Sequence, residues 1–133
     1  NGAASNGKKV TMFFTFWGLN VIKKHRHPAV KKDIFGRMFG FMLPSDTRRL
    51  SLSKMNMFGI GSRMMRYIMQ RKSIDSLESM IAQAIDNGVE MIACTMSMDV
   101  MGVKKEELLD NVELGGVATY LERADNANMN LFI

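Results

Sequence analysis

Residues 89–99 join a buried strand directly to a helix, and this junction limits the chain to folds in which strands and helices alternate. The apolar run ends at Cys94, the only cysteine in the sequence, and the Asn-Gly pair at residues 87–88 is typical of a helix end just before a strand. Thr95 and Ser97 are residue types that cap helices, so a helix is predicted to begin here. The sequence therefore places the thiol where a strand ends and a helix starts.

This position suggests that the thiol of Cys94 is reactive. In parallel α/β sheets, ligands bind beyond the carboxyl ends of the strands. The unpaired N–H groups and the positive dipole end of a helix stabilise an anion at the same place. We therefore expect the thiolate of Cys94 to be favoured and its nucleophilicity to be raised. The alternative is a small core side chain, because free cysteine is often buried.

Strands and helices alternate along the chain. Apolar runs predict strands at residues 10–15, 89–94 and 129–133, and a brief strand or a turn at residues 112–117. Helical periodicity predicts helices at residues 18–24, from 62 onward, and at 74–87, 96–101, 104–110 and 116–125. Right-handed crossovers between such strands give a parallel sheet covered by helices. The expected fold is α/β, a three-layer α/β/α sandwich with a mainly parallel sheet, formed by residues 1–133 as a single domain.

Two of these helices have a predicted buried face. Ser73 is expected to cap the helix at residues 74–87. The core face of that helix is predicted to be Ile74, Leu77, Ile81, Ala84 and Ile85. In the helix at 116–125, the residues predicted to turn inward are Val117, Tyr120, Leu121 and Ala124.

Composition narrows the cellular context. A chain of 133 residues can bury a real core, and a single cysteine cannot form an intrachain disulfide. No apolar run approaches the length of about 20 residues that spans a bilayer, and the first residues do not resemble a secretory signal. A reduced cytoplasm is therefore the expected location.

Residues 1–7 resemble the tail of a helix with a glycine stop, so a strand and a helix are expected to precede residue 1.

Charge is distributed unevenly along the chain. Residues 1–72 contain 15 Lys and Arg and two Asp and Glu, a net charge of +13, whereas residues 73–133 contain three and 11, a net charge of −8, which together give +5. A basic half attracts anions, nucleic acid, an acidic membrane or an acidic protein, or it faces the acidic half of the same chain or of another subunit. No nucleic-acid-binding motif accompanies it, so nucleic acid is not an expected partner.

Residues 34–72 are basic and rich in methionine. Seven of the fourteen methionines lie between residues 38 and 69, interleaved with Lys and Arg. From Ser62 the pattern is a basic amphipathic helix with Met65, Ile68 and Met69 on one face. Methionine suits adaptable contact surfaces, so the segment is expected to contact a partner protein, another subunit or a membrane surface without spanning it. The alternative is a methionine-rich core.

Other motifs indicate neither a metal nor a cofactor. His25 and His27 have a spacing that could hold a metal, but no acidic residue or cysteine lies near them in sequence, so no metal site is predicted. Gly-Gly at residues 115–116 resembles a phosphate turn only weakly. The sequence contains no phosphate-loop, Gly-x-Ser-x-Gly or Cys-x-x-Cys motif. Trp17 follows the first strand and either lines a site at the same edge as Cys94 or belongs to the core.

Four segments together resemble the DsrE/DsrF-like sulfur-relay family, in particular its methionine-rich branch, whose members also occur fused to rhodanese and CoA-disulfide reductase modules. They are VTMFFTFWGL at 10–19, LSKMNM at 52–57, IACTMSMDVMG at 92–102 and GGVATYL at 115–121. The resemblance implies an α/β/α sandwich with about five parallel strands, of which the first strand and its helix would be missing here, and assembly into homo-oligomers.

The resemblance also implies a function. Members of this family carry sulfur as a persulfide on a cysteine, and only Cys94 can take that role here. By position and family similarity, Trp17, Lys54 and Asn56 are expected in the binding pocket. Thr95 and Ser97 are expected to hold an anionic sulfur through the start of their helix.

Two hypotheses of different kinds follow. The first is a sulfur carrier or sulfurtransferase-like protein that uses Cys94 and needs no cofactor. Because an internal dithiol cycle needs two cysteines, the donor or acceptor thiol would belong to a partner, either a rhodanese-like protein or a small sulfur carrier. The alternative is a non-catalytic module that docks on a protein or a membrane through residues 34–72.

Overall fold

The computed structural model describes residues 1–25 and 60–133. Its first elements are α1 (Gly2–Ser5), β1 (Val10–Phe14) and a 3₁₀ helix (Phe16–Ile22). The elements that follow residue 60 are α2 (Ile60–Arg71), α3 (Leu77–Asp86), β2 (Glu90–Cys94), α4 (Thr95–Met101), a short 3₁₀ turn (Lys105–Glu107), β3 (Val112–Gly115), α5 (Val117–Asp125) and β4 (Met129–Phe132).

The strands form one parallel sheet in the order β3-β2-β1-β4. Phe14 lies opposite Ala93, and Cys94 lies opposite Gly115. The two central strands are buried on both faces, which explains why their sequences are continuous apolar runs rather than alternating ones. The predicted α/β architecture with a parallel sheet is confirmed, and the described residues contribute four strands to it.

The larger core lies on one face of the sheet. Strand residues Val10, Phe14, Met91, Ala93 and Val112 point to this face and are buried. They pack against α3, α4 and the 3₁₀ helix. The residues that those elements contribute are Leu19, Ile22, Ile81, Ala84, Met98 and Met101.

The smaller core lies on the opposite face, where α5 covers the sheet. Phe13, Ile92 and Cys94 are buried there, and Tyr120 of α5 packs against them. Because helices lie on both faces, the described residues form three layers.

The start of α3 differs from the prediction. Ser76, not Ser73, is the N-cap, and its hydroxyl accepts a hydrogen bond of 3.2 Å from the Ser79 N–H. Ser73 instead ends α2 in a left-handed conformation (φ 55°), with the Ser73 N–H donating to Gln70 and the next N–H donating to Met69. Ile74 is consequently 51% exposed and does not belong to the core.

The predicted inward faces are partly correct. Ile81 and Ala84 are buried, and Leu77 and Ile85 are partly buried against the core. On α5, Tyr120 and Ala124 are partly buried, but Val117 and Leu121 are exposed. The prediction is wrong at these two positions because α5 covers only the narrow second core, so its inward stripe is narrow.

Candidate functional site

The carboxyl ends of all four strands lie at one edge of the sheet, because the strands are parallel. We call this the carboxyl edge. Three segments that follow strands meet there: Phe16 and Trp17 after β1, Thr95 after Cys94, and Gly116 after β3. Helix α4 also packs against the 3₁₀ helix, so the segments that follow the two central strands are in contact.

Cys94 is both the last residue of β2 and the N-cap of α4. The N-cap is Cys94 rather than Thr95 or Ser97, contrary to the prediction, because the helix begins directly after the strand, and the Cys94 side chain makes no capping hydrogen bond. The residue is only 5% exposed and belongs to the smaller core. The thiol therefore lies at a helix start, as predicted, but beneath a cover of side chains.

Tyr120 is the α5 side chain that packs against the core containing Cys94. Its ring stacks on Phe13 with centroids 4.9 Å apart and planes 17° apart. Phe132 of β4 completes an aromatic cluster, 5.4 Å from Phe13 and 6.1 Å from Tyr120 between centroids. Such stacked and edge-to-face pairs are each worth about 0.5–1.5 kcal/mol beyond the area that they bury. The aromatic cluster thus holds α5 over the face of the sheet on which Cys94 lies.

Glycine at position 115 lets α5 approach the sheet closely. A Cβ at Gly115 would lie 3.0 Å from Thr119 Cβ and 3.1 Å from Ile92 Cγ2, closer than side-chain carbons normally approach. Gly116, the N-cap of α5, has nothing within 4 Å of such an atom. Gly115 therefore has a packing role, which the weak resemblance of this pair to a phosphate turn does not indicate.

Two charged pairs lie on the same sheet face: Glu90 with Lys9 toward the amino ends of the strands, and Glu113, which lies opposite Ile92, with Arg123 of α5 at 3.4 Å. Glu90 lies four residues before Cys94, which is about 13 Å along a strand. Its carboxylate accepts a hydrogen bond from the Thr11 hydroxyl at 3.1 Å and pairs with Lys9 at 3.3 Å. The pair of Glu90 and Lys9 is therefore separated from the apolar surroundings of the thiol by most of the length of β2.

Trp17 projects from the carboxyl edge and is 63% exposed, so the core alternative for it is wrong. The turn that carries it is fixed from below by buried polar groups. The Asn20 side-chain amide donates to the Trp17 carbonyl at 3.0 Å, and the Lys23 ammonium donates to the Asn20 side-chain oxygen at 2.8 Å. Phe16 has φ 38°, a conformation that residues other than glycine rarely adopt. The backbone is thus held firmly at the base of an exposed indole.

Comparison with known proteins identifies the family. The model of the DsrE/DsrF/DrsH-like family matches residues 1–132. The chain belongs to this family. The uncharacterized protein YrkE of Bacillus subtilis is 42% identical over 133 residues, which cover 100% of this chain and 83% of that protein.

A second similar protein is the sulfur carrier protein DsrE2 of Allochromatium vinosum. It is 33% identical over 135 residues, covering 98% of this chain and 83% of that protein.

Four of the six predicted site residues of this DsrE/DsrF/DrsH-like chain follow the carboxyl ends of the two central strands, although the 3₁₀ helix that carries Trp17 packs on the sheet face opposite the Cys94 side chain. Cys94, Thr95 and Trp17 lie at the carboxyl edge, with Thr95 exposed. Ser97 lies in the first turn of α4 but is only 1% exposed, so it supports the site from inside. The remaining two, Lys54 and Asn56, lie outside the described residues and stay predictions.

Over residues 1–25 and 60–133, no group of three or more His, Cys, Asp and Glu side chains is arranged to hold a metal ion. His25 is exposed, and His27 lies outside the described residues.

Sequence reasoning misses the residues that cover and support this site. Periodicity places Tyr120 on a helix face, but its contact with the cysteine core joins segments 26 residues apart in sequence. Asn20 and Lys23 are polar, and nothing in a single sequence marks them as buried. The one useful signal is the glycine at 115, directly before a helix, which indicates close backbone approach as readily as a phosphate turn.

Proposed function

We propose that this protein is a sulfur carrier that holds a persulfide on Cys94 and passes the outer sulfur to a thiol of another protein. Membership of the DsrE/DsrF/DrsH-like family and the similarity to a sulfur carrier protein support a role in sulfur relay in general. The observation that carries the proposal is the position of the only cysteine, at the strand–helix junction of the carboxyl edge.

The transfer needs one thiolate and no cofactor. The Cys94 thiolate attacks the outer sulfur of a donor persulfide, the donor's S–S bond breaks, and the donor leaves as a thiolate. Cys94 then carries the persulfide, and the acceptor thiolate repeats the same exchange in the second half of the cycle. Each step forms one S–S bond and breaks one, so no electrons are gained or lost overall.

The start of α4 suits the charged species in this exchange. The first N–H groups of a helix have no partner within the helix and point toward its N-cap, which here is Cys94 itself. An anionic sulfur at this position would lie at the positive end of the helix dipole. Thr95 and Ser97 contribute to this first turn.

The cover over the thiol fits a carrier that releases sulfur only to a chosen partner. A persulfide enclosed by Tyr120, Phe13 and Ile92 is shielded from small thiols in solution. Transfer then requires the aromatic cover to move when a partner docks at the carboxyl edge. The exposed Trp17 would contact that partner.

The partner supplies the second thiol, and it is either a rhodanese-like protein or a small sulfur carrier. Residues 1–133 would act in this exchange as one domain. Lys54 and Asn56 in the pocket, assembly into homo-oligomers and a cytoplasmic location remain predictions.

Intact-mass spectrometry tests the proposal. After incubation with polysulfide, the protein should gain the mass of one or more sulfur atoms, and a reducing agent should remove it. Cys94→Ser should gain nothing. Absence of the adduct from the wild-type protein, or an adduct of equal size on Cys94→Ser, would contradict the proposal.

A further inference from the structure

Helix α2 contributes little to the interior. Of its 12 residues only Gly61 is buried. Four of its large apolar side chains, Ile60, Met64, Tyr67 and Ile68, are 41–66% exposed. A helix of a globular protein normally directs its apolar stripe toward a core, so this stripe is available to something outside the described fold.

These four residues form one continuous stripe. Ile60, Met64 and the adjacent pair Tyr67 and Ile68 follow one another at intervals of three or four positions, which places them on the same side of a helix. Arg63 and Gln70 lie at one border of the stripe, and Arg66 lies on the opposite side together with Met65 and Met69, of which Met69 is partly buried. The exposed side of the helix is therefore largely apolar and has a cation at its border.

The charge of α2 is uniformly positive. The helix and the residue that follows it contain Arg63, Arg66, Arg71 and Lys72 and no acidic residue. Arg71 and Lys72 follow the stripe at its carboxyl end. Their long stems can run along an apolar surface while their charges stay at its polar boundary.

We propose that α2 docks the protein on an anionic membrane surface, lying in the plane of the interface with its apolar stripe among the acyl chains. An apolar stripe bordered by Arg and Lys is the pattern of interfacial helices, and the cations complement anionic lipid headgroups at about 1 kcal/mol each. The helix is about 18 Å long, shorter than a bilayer core of about 30 Å. No helix in the two described ranges is long and apolar enough to cross a membrane.

A second copy of the chain is the competing occupant, because residues 73–133 carry a net charge of −8. The charges of the side chains around the stripe favour the membrane. Every charged side chain in α2 is a cation and so complements anionic lipid headgroups, whereas a symmetric contact between two copies through the stripe would bring the cations beside it, Arg63 and Arg71, of both helices together.

Vesicle flotation tests this proposal on the full chain. The protein should float with vesicles of phosphatidylcholine and phosphatidylglycerol but not with phosphatidylcholine alone, and high salt should weaken flotation. Met64→Glu/Ile68→Glu should abolish it by placing charge in the stripe. Arg63→Glu/Arg71→Glu should reduce it strongly at low salt.

A matched control and a second measurement keep the test specific. Val100→Glu/Leu121→Glu changes two equally exposed apolar residues on other helices and should float like the wild type. In a Trp17→Phe background, Tyr67→Trp should show a blue shift of its emission when anionic vesicles are added. Cys94→Ser should float normally, which separates this proposal from the sulfur-carrier proposal.

Three results would overturn the proposal. In the first, the wild-type protein does not float with the vesicles. In the second, the Met64→Glu/Ile68→Glu variant floats as the wild type does. In the third, the wild-type protein is a dimer and this variant is a monomer, while neither protein binds vesicles. The last result would assign the stripe to a second copy.

Discussion

Cys94 lies directly opposite Gly115 in the register of β2 and β3, where Thr119 of α5 lies too close to leave room for a Cβ. The pairing places the candidate thiol beside a glycine that has no room for a side chain. Close packing of Thr119 on Gly115 also brings the following residue, Tyr120, onto the core that contains the thiol. The geometry around Cys94 therefore depends on a residue with no side chain.

Serine at position 115 should destabilise the fold. Gly115→Ser introduces a Cβ 3.0 Å from Thr119 and 3.1 Å from Ile92, which we expect to lower the free energy of unfolding by about 1–3 kcal/mol. Gly116→Ser introduces the same atoms one residue later, at an N-cap where serine is favoured and nothing lies within 4 Å. Urea denaturation of both variants measures the difference. Equal stability of the two would show that α5 does not pack on Gly115 as described.

Truncation of Tyr120 should expose the thiol. Tyr120→Ala removes the ring that stacks on Phe13, so we expect Cys94 to react several-fold faster with iodoacetamide under native conditions. Tyr120→Phe keeps the stacking and should retain the slow rate. Leu121→Ala, one residue later at an exposed position, controls for a general weakening of α5. A rate that is unchanged in Tyr120→Ala would mean that another group covers the thiol.

Glycine at position 73 should stabilise the protein. Ser73 adopts φ 55° at the end of α2, where a residue with a Cβ is strained by about 1 kcal/mol. Ser73→Gly relieves this strain and should raise the free energy of unfolding by about that amount. Ser73→Ala also loses the hydroxyl but keeps the Cβ, so it should show no gain. If thermal and urea unfolding find Ser73→Gly no more stable than Ser73→Ala, the left-handed helix end is wrong.

The strands and the edge of the candidate site can be predicted because they are local patterns. The runs at residues 10–15 and 89–94 are apolar without interruption, as strands buried on both faces must be, and both form strands. A parallel sheet then brings their carboxyl ends to one edge without further information. The pattern of the sequence is therefore sufficient to predict that Trp17 and Cys94 lie at the same edge.

The predictions that are wrong concern contacts or backbone conformations that cannot be read from a single sequence. Ser73 and Ser76 are both plausible caps, and only the left-handed conformation of Ser73 decides between them. The burial of Cys94 depends on Tyr120, which a crossover brings back over the sheet. Leu121 looks as apolar as any core residue, but α5 covers too little of the sheet to bury it.

The most direct test of the account compares Cys94 with an exposed thiol one residue away. Wild-type protein and Cys94→Ser/Thr95→Cys are mixed with persulfide-charged rhodanese, and the rate of sulfur transfer to each is followed by mass spectrometry. Thr95 is exposed and Cys94 is only 5% exposed, so access alone favours the relocated thiol. The account predicts faster transfer to Cys94. Transfer to neither thiol, or transfer at least as fast to the cysteine at position 95, would contradict it.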